Sequence, residues 1–182
     1  MNLFFNRMLR AARLDVTLYE EVEADPSAMG QAMGTVVLAS LAAGIGSVQQ
    51  LGFGGILMGT LLALLSWYIW AFLTYWIGTR LLPEPQTQAN YGELLRTIGF
   101  SSAPGILRIL GGIPGLGTLV FFAAGVWMLV AMIIAVRQAL DYRSTWRAVG
   151  VCLIGWVVQA VVLAALMFLA GGPQAPAVQS GS

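Results

Sequence analysis

The sequence predicts an all-α integral membrane protein with five transmembrane helices and an N-terminal amphipathic helix at the membrane interface. The first observation is that charged residues are absent between Asp25 and Arg80, from 109 to 136 and from 148 onwards. A charge at the centre of a spanning helix costs about 2.5–3.5 kcal/mol, so such stretches are typical of membrane segments. The second is composition, because 58% of the residues are hydrophobic and 9% are charged. Soluble domains carry about 25% charged residues, so no sizeable soluble domain is expected.

Residues 1–26 are predicted to form a cytoplasmic segment that is amphipathic at first and acidic afterwards. Three arginines, Arg7, Arg10 and Arg13, are spaced three apart beside an apolar helical face. A helix of this kind lies in the headgroup layer. Acidic residues rather than an apolar core follow the arginines, so no cleaved signal peptide is expected. The apolar face comprises Leu3, Phe4, Met8, Ala11 and Ala12.

The membrane domain is predicted to cover residues 27–170. About 20 apolar residues in a helix cross a hydrocarbon core of ~30 Å. An Asp-Pro pair at 25–26 is a typical helix start, because Asp caps the first turn and Pro fits the first helical position. The tail at 171–182 is rich in Gly, Pro, Ser and Gln, and is predicted to be disordered. The predicted spans are 27–45, 55–77, 91–112, 118–136 and 148–170.

The third predicted span, residues 91–112, is the least regular. Pro104 removes a backbone hydrogen bond and is expected to kink this helix, in a structural element that includes Gly99 and Arg108. As one bent helix of about 22 residues the segment reaches ~33 Å, with its arginines near its two ends. Arg108 is therefore expected at the outer interface.

The distribution of arginines predicts the orientation. If residues 91–112 cross the membrane, every arginine except Arg108 lies on one side. If they do not, Arg137, Arg143 and Arg147 move to the opposite side. Positive charge in short loops stays in the cytoplasm, so five spans with a cytoplasmic N-terminus and an outside C-terminus are predicted. Asp141, four residues after Arg137, is positioned to pair with it.

Small residues four apart predict close helix packing. Gly30/Gly34 and Gly55/Gly59 each lie on one helical face. Faces of this type let helix backbones approach closely in lipid. They predict a tightly packed bundle, or a subunit that associates with other membrane subunits or with itself.

The composition excludes most catalytic chemistry. The chain has no histidine and one cysteine, Cys152, which falls in the last apolar segment. No carboxylate pair falls within a predicted span, so no catalytic residue, metal site or cofactor is predicted, and no enzyme. The net charge of +1 does not favour nucleic acid as a partner.

Three stretches resemble the Yip-domain family, named for proteins that interact with Ypt/Rab GTPases. Residues 99–104, GFSSAP, are similar to the family's Gly-aromatic-Ser-x-x-Pro element. Residues 135–142, AVRQALDY, resemble the loop between spans four and five of prokaryotic members, and residues 18–26, LYEEVEADP, resemble their approach to the first span. The resemblance implies five spans, and a prokaryotic member would lie in the bacterial cytoplasmic membrane. Eukaryotic members carry a Gly-Pro element where this chain has Glu20-Glu21, which argues against binding of a Rab-type GTPase.

Three functional hypotheses follow. The first is a non-enzymatic scaffold or adaptor that holds a protein partner or anionic lipid at its cytoplasmic face. The second is an accessory subunit of a larger membrane complex. The third is a transporter or lipid-moving protein, with a path lined by Ser101, Ser102, Thr118 and Gln159 beside the kink. The predicted contact residues of the scaffold are Arg7, Arg10, Arg13, Glu20, Glu21, Glu23, Arg137, Asp141 and Arg143.

Overall fold

The computed structural model of the chain describes residues 2–169, so the predicted disordered tail at 171–182 lies outside the described residues. Within residues 2–169 the secondary structure is helical, and no β-strand occurs there. The α-helices are α1 (Leu3–Ala12), α2 (Val16–Ala24), α3 (Met29–Gly46), α4 (Val48–Trp76), α5 (Tyr91–Phe100), α6 (Gly117–Ala139) and α7 (Thr145–Leu169). Shorter helical pieces are a 3-10 turn at Pro26–Ala28, a π-helical turn at Ile77–Leu81 and a 3-10 segment at Ala103–Gly112.

Four stretches of the described chain are long and apolar enough to cross a membrane. They correspond to the first, second, fourth and fifth predicted spans, so the prediction of a multi-span helical protein is confirmed. The predicted ends agree with these stretches within about four residues, except that the fifth predicted span extends to 170 and the described stretch ends at Val162. The four stretches are Pro26–Gly46, Gly54–Leu81, Gly117–Ala139 and Thr145–Val162.

The third predicted span is broken rather than bent. Helix α5 ends at Phe100, a turn follows at Ser101 and Ser102, and the 3-10 segment continues to Gly112. Pro104 stands in the first turn of that segment, where its missing N–H is tolerated. The ten residues of α5 rise ~15 Å, and the ten residues of the 3-10 segment rise ~20 Å. Neither piece alone is as long as a spanning helix.

The broken segment lies parallel to α3 along its length. A Cβ on Gly99 would lie 2.8 Å from the Cβ of Ala32, and a Cβ on Gly105 would lie 3.2 Å from that of Ala39. At the far end, a Cβ on Gly46 would clash with a backbone carbonyl of the 3-10 segment. Close approach in lipid favours such small residues. Gly30 and Gly59, which the sequence predicted as packing positions, have nothing within 4 Å.

Helix α2 belongs to the core of the bundle. It packs against both α5 and α6, and its residues Leu18, Tyr19 and Val22 are fully buried. Helix α1 packs on it through Met8 and Ala11, which are buried too. The end of the bundle that carries α1, α2 and the loops at 82–90 and 140–144 is called the polar end below.

The polar end also holds the ends of α4 and α6 together. The hydroxyl of Tyr142 lies 2.9 Å from the carbonyl oxygen of Gly78 and 2.7 Å from that of Leu82. These carbonyls lie at the end of α4, where the π-helical turn has no further turn to pair with. Helix α6 ends in a Schellman motif, with Asp141 in the left-handed conformation at φ 54° and the Tyr142 N–H donating to the Arg137 carbonyl.

Candidate functional site

Arg7 holds the N-terminal segment to the bundle. Its Nε donates to Glu21 Oε1 at 2.8 Å and its Nη2 to Asp25 Oδ2 at 2.8 Å. Its Nη1 donates to Gln31 Oε1 at 3.1 Å, which ties α1 to α3. The Arg7 side chain is only 6% exposed. Arg7 was predicted as a partner or lipid contact, and the structure places it in an intramolecular network instead.

Arg10 is likewise bound by carboxylates of the chain, whereas Arg13 is exposed. Arg10 donates to Asp15 Oδ2 at 2.8 Å and to Glu21 Oε2 at 2.5 Å. Glu21 therefore bridges two arginines, and the hydrogen bonds from Arg10 and Arg7 lower the pKa of its carboxyl. Arg13 is exposed. Of the three predicted N-terminal contacts, Arg13 presents its charge outward.

Arg96 fastens α2 to α5. Its Nε donates to the carbonyl oxygen of Val22 at 2.8 Å, and its Nη2 donates to that of Glu23. The last carbonyls of a helix lack partners within the helix and carry partial negative charge, so a cation there is stabilising. Helix α2 has no basic residue in its own last turn. Sequence analysis missed this role of Arg96. The lack of a basic residue in the last turn of α2 was the signal that a donor from another helix would be needed there.

An acidic pocket lies between α2, α5 and the end of α6. Its volume is about 580 Å³, and three of the predicted contact residues that line it, Glu20, Asp141 and Arg143, are exposed. Glu20 is exposed and accepts a hydrogen bond from Gln138 Nε2 at 2.9 Å. Within residues 2–169, no cluster of three or more acidic, cysteine or histidine side chains is arranged to hold a metal ion. The pocket's lining residues are Glu20, Glu23, Ala24, Glu93, Arg137, Gln138, Asp141, Tyr142 and Arg143.

Glu23 is the carboxyl of the pocket with a raised pKa. Burial raises the pKa of its carboxyl from 4.5 to about 7, and repulsion from Asp141, Glu93 and Glu20 adds to the effect. The guanidinium of Arg96 lowers that pKa in part. Four carboxylates and two arginines line the pocket, so negative side chains outnumber positive ones there.

The predicted pair of Arg137 and Asp141 takes a different form. The Nε of Arg137 donates to the carbonyl oxygen of Tyr142 at 3.2 Å, because the Schellman turn brings that carbonyl back over the helix end. The two loops of the polar end are joined instead through Glu84, which accepts the Arg143 N–H at 3.0 Å and lies 3.2 Å from Arg147 Nε. The N–H of Arg143 is the first cause of the lowered pKa of Glu84.

A second opening lies inside the membrane-spanning part of the bundle, and is called the cleft. Its volume is about 540 Å³, and α3, α4, α6, α7 and the broken segment form its walls. Arg108 lines it, with Cζ 5.8 Å from the centre of the Phe121 ring. Gln159 and Ser102, predicted along a transport path, line it as well. Ser101 instead donates to the carbonyl of Ile98 at 2.7 Å.

Arg108 lies near the end of the bundle opposite the polar end. Its backbone meets Gly46, the last residue of α3, and its side chain meets Phe121 near the start of α6. The predicted kink residues Gly99 and Pro104 are buried nearer the polar end, against α3. Arg108 therefore lines the cleft at the level where α3 ends.

The comparisons with known proteins give one match. The sequence model of the Yip1 domain matches residues 19–167, which is more than half of the chain. No curated protein and no solved structure matches the chain. The matched region begins inside α2 and extends to the end of α7.

Proposed function

The chain belongs to the Yip1-domain family and is an integral membrane protein, and from this premise we propose that it is a non-enzymatic scaffold whose polar end binds a basic segment of a protein partner. The observation that carries the proposal is the acidic pocket, to which α2, α5 and the end of α6 each contribute carboxylates. A rigid surface assembled from separate elements is suited to holding a partner. Unbalanced negative charge favours a cationic one.

The choice between a basic partner and anionic lipid follows from the arginines. Arg7, Arg10 and Arg13 were the predicted lipid contacts of the N-terminal helix, and Arg7 and Arg10 are engaged by carboxylates of the chain itself. Arg13 is the exposed arginine of the N-terminal segment, and one surface arginine contributes about 1 kcal/mol to headgroup binding. The N-terminal segment therefore offers a lipid headgroup little, and the acidic pocket offers a basic peptide more.

We further propose five crossings with the polar end in the cytoplasm of a bacterial cell. The parallel course of α3 and the broken segment supports this topology, because both begin at the polar end and both reach the opposite end. Arg80, Arg96, Arg137, Arg143 and Arg147 then lie on the side where short loops retain positive charge.

The test uses the purified full-length chain in mild detergent and a fluorescent peptide rich in Lys and Arg. Fluorescence anisotropy should show binding that weakens as salt rises, because the contacts are exposed charges. Glu20→Gln should weaken binding about threefold, since an exposed ion pair is worth up to ~1 kcal/mol. Combining it with Asp141→Asn should weaken binding about tenfold, and Asn accepts the left-handed conformation at this position.

The matched control is Gln88→Arg, because Gln88 is exposed in the loop at 82–90 and does not line the pocket. This variant changes the net charge by the same amount as Glu20→Gln. It should leave the affinity unchanged. Equal weakening by the two variants would mean that net charge, rather than the pocket, holds the peptide, and the proposal would be abandoned.

One observation favours a second candidate, a lipid-moving or transport function. The cleft brings Gln159, Ser102 and Arg108 to one opening within the bundle. Arg108 lies at the depth of the end of α3 rather than at mid-membrane. A continuous polar path needs ionisable groups at depth, so this placement favours the scaffold.

A further inference from the structure

The cleft is lined by one cation, Arg108, and otherwise mainly by apolar side chains. Arg108 lies at its outer end, while large apolar side chains from α4, α6 and α7 line the remainder. The hydroxyls of Ser40 and Ser47, which also face it, donate to the backbone carbonyls of Val37 and Ala43 in their own helix. Its large apolar lining residues include Val36, Trp67, Trp70, Ile98, Met128, Met132 and Trp156.

The charge of Arg108 is incompletely satisfied by the protein. Within the described residues, its Nε is buried without a hydrogen-bond partner. The lining of the cleft includes no carboxylate among those residues, because the acidic side chains lie at the polar end. The Phe121 ring supplies a cation–π contact only. An isolated guanidinium near hydrocarbon calls for an anion, and phosphate oxygens accept its fork of donors well.

The wall formed by α4 leaves room beside this cation. Gly55, Gly59, Ala63 and Ser66 follow one another along one face of α4 and line the cleft. Among the described residues, no atom lies within 4 Å of the position that a Cβ on Gly59 would take, so the cleft has open space beside this residue. A smooth strip of small residues can accept a flexible hydrocarbon chain. A volume of about 540 Å³ is within the range of small-molecule sites.

The inner end of the cleft is closed by tryptophans. Trp70 Nε1 lies 3.1 Å from the Sδ of Met132, and Trp67 Nε1 donates to the carbonyl of Leu95 at 3.0 Å. The ring of Trp70 also lies against Gly155 of α7. Helices α4, α6 and α7 thus meet at this level, and Arg108 lies toward the other end of the cleft. A ligand entering there has a charged end near the helix ends and an apolar end near the tryptophans.

We propose that the cleft binds one anionic phospholipid from the leaflet opposite the polar end, with its phosphate on Arg108 and one acyl chain against the small-residue face of α4. This binding is separate from the scaffold role of the polar end. The lipid's negative charge offsets the buried guanidinium, and its chain fills space that the helices leave open. Inorganic phosphate lacks the acyl chain, and phosphatidylcholine carries a choline cation that offsets the charge of its own phosphate, so both should bind poorly.

The test is native mass spectrometry of the full-length protein in detergent, with phosphatidylglycerol or phosphatidylcholine added. The wild type should retain one phosphatidylglycerol at concentrations where phosphatidylcholine is lost, and added inorganic phosphate should not displace it. Arg108→Gln should weaken retention of phosphatidylglycerol by about tenfold or more, as expected for loss of a charge-assisted pair. Arg80→Gln is the matched control, because Arg80 is exposed near the polar end, and it should have no effect.

A second variant keeps the test decisive if Arg108→Gln folds poorly. Gly59→Leu adds bulk where the structure has open space, so it should leave the circular dichroism unchanged and still reduce lipid retention. Equal retention of the two lipids, or full retention in both variants, would overturn the proposal. So would a homodimer that Gly59→Leu dissociates, because a second copy would then occupy this face.

Discussion

Removing Arg7 should loosen the N-terminal helices without unfolding the membrane domain. Arg7→Ala deletes the contacts to Glu21, Asp25 and Gln31. Arg10 still neutralises part of Glu21, and both carboxylates can rehydrate because they are partly exposed. We therefore expect a loss of about 1–2 kcal/mol in the docking of α1 and α2, below the cost of breaking a fully buried pair.

The assay is amide hydrogen exchange of the purified protein. Local opening reports directly on such a loss, so exchange in α1 and α2 should accelerate about 5- to 30-fold. The control is Arg13→Ala at the C-cap of the same helix, because the Arg13 side chain is exposed. It should change exchange less than twofold by this reasoning. Equal acceleration in the two variants, or acceleration spread evenly over α6 and α7, would refute the assigned role of Arg7.

Three further predictions concern other parts of the molecule. For topology, a cysteine at Gly115 should be labelled from outside intact cells and one at Ser144 only after permeabilisation; labelling of both from one side would contradict five crossings. The raised pKa of Glu23, about 7 against an ordinary 4.5, means that the native state holds a proton that the unfolded chain releases. Stability should therefore fall as pH rises from about 4.5 to 7, and thermal unfolding at pH 8 should show Glu23→Gln more stable by about 1–2 kcal/mol, a difference that vanishes near pH 4. Tyr142→Phe leaves the carbonyls of Gly78 and Leu82 without their buried donor, so it should cost about 1–2 kcal/mol, and an unchanged melting temperature would count against the capping role.

The membrane spans were predictable because lipid imposes one simple requirement on them. Long stretches without charge mark α3, α4, α6 and α7, whatever their packing. Pro104 predicted an irregularity close to the break at Ser101 and Ser102. The 3-10 geometry after it was not, because it depends on how closely Gly105 and Gly111 let the segment approach its neighbours, and residue types alone do not fix that distance.

The candidate sites were less predictable, because they depend on pairing. Arg7 and Arg13 carry the same charge on the same short helix, and only the fold decides which one is buried. Arg96 stood out in the sequence as a charge near a membrane span, yet its partners are carbonyl oxygens, which every residue has. The cleft is lined by residues from five helical elements spread along the sequence, and no local pattern records how these come together.

The bond from Arg96 to the end of α2 has a consequence for biosynthesis. Arg96 follows Val22 by 74 residues, so at ribosomal speeds of about 5–20 residues per second it is made some ~4–15 s later. Until then α2 has neither its cap nor the cover of α5, and its Leu18, Tyr19 and Val22 face solvent or lipid headgroups. Helix α2 is thus made well before the helix that caps and covers it, and a truncated chain that stops before α5 should expose the apolar side chains of α2 to the cell's quality control.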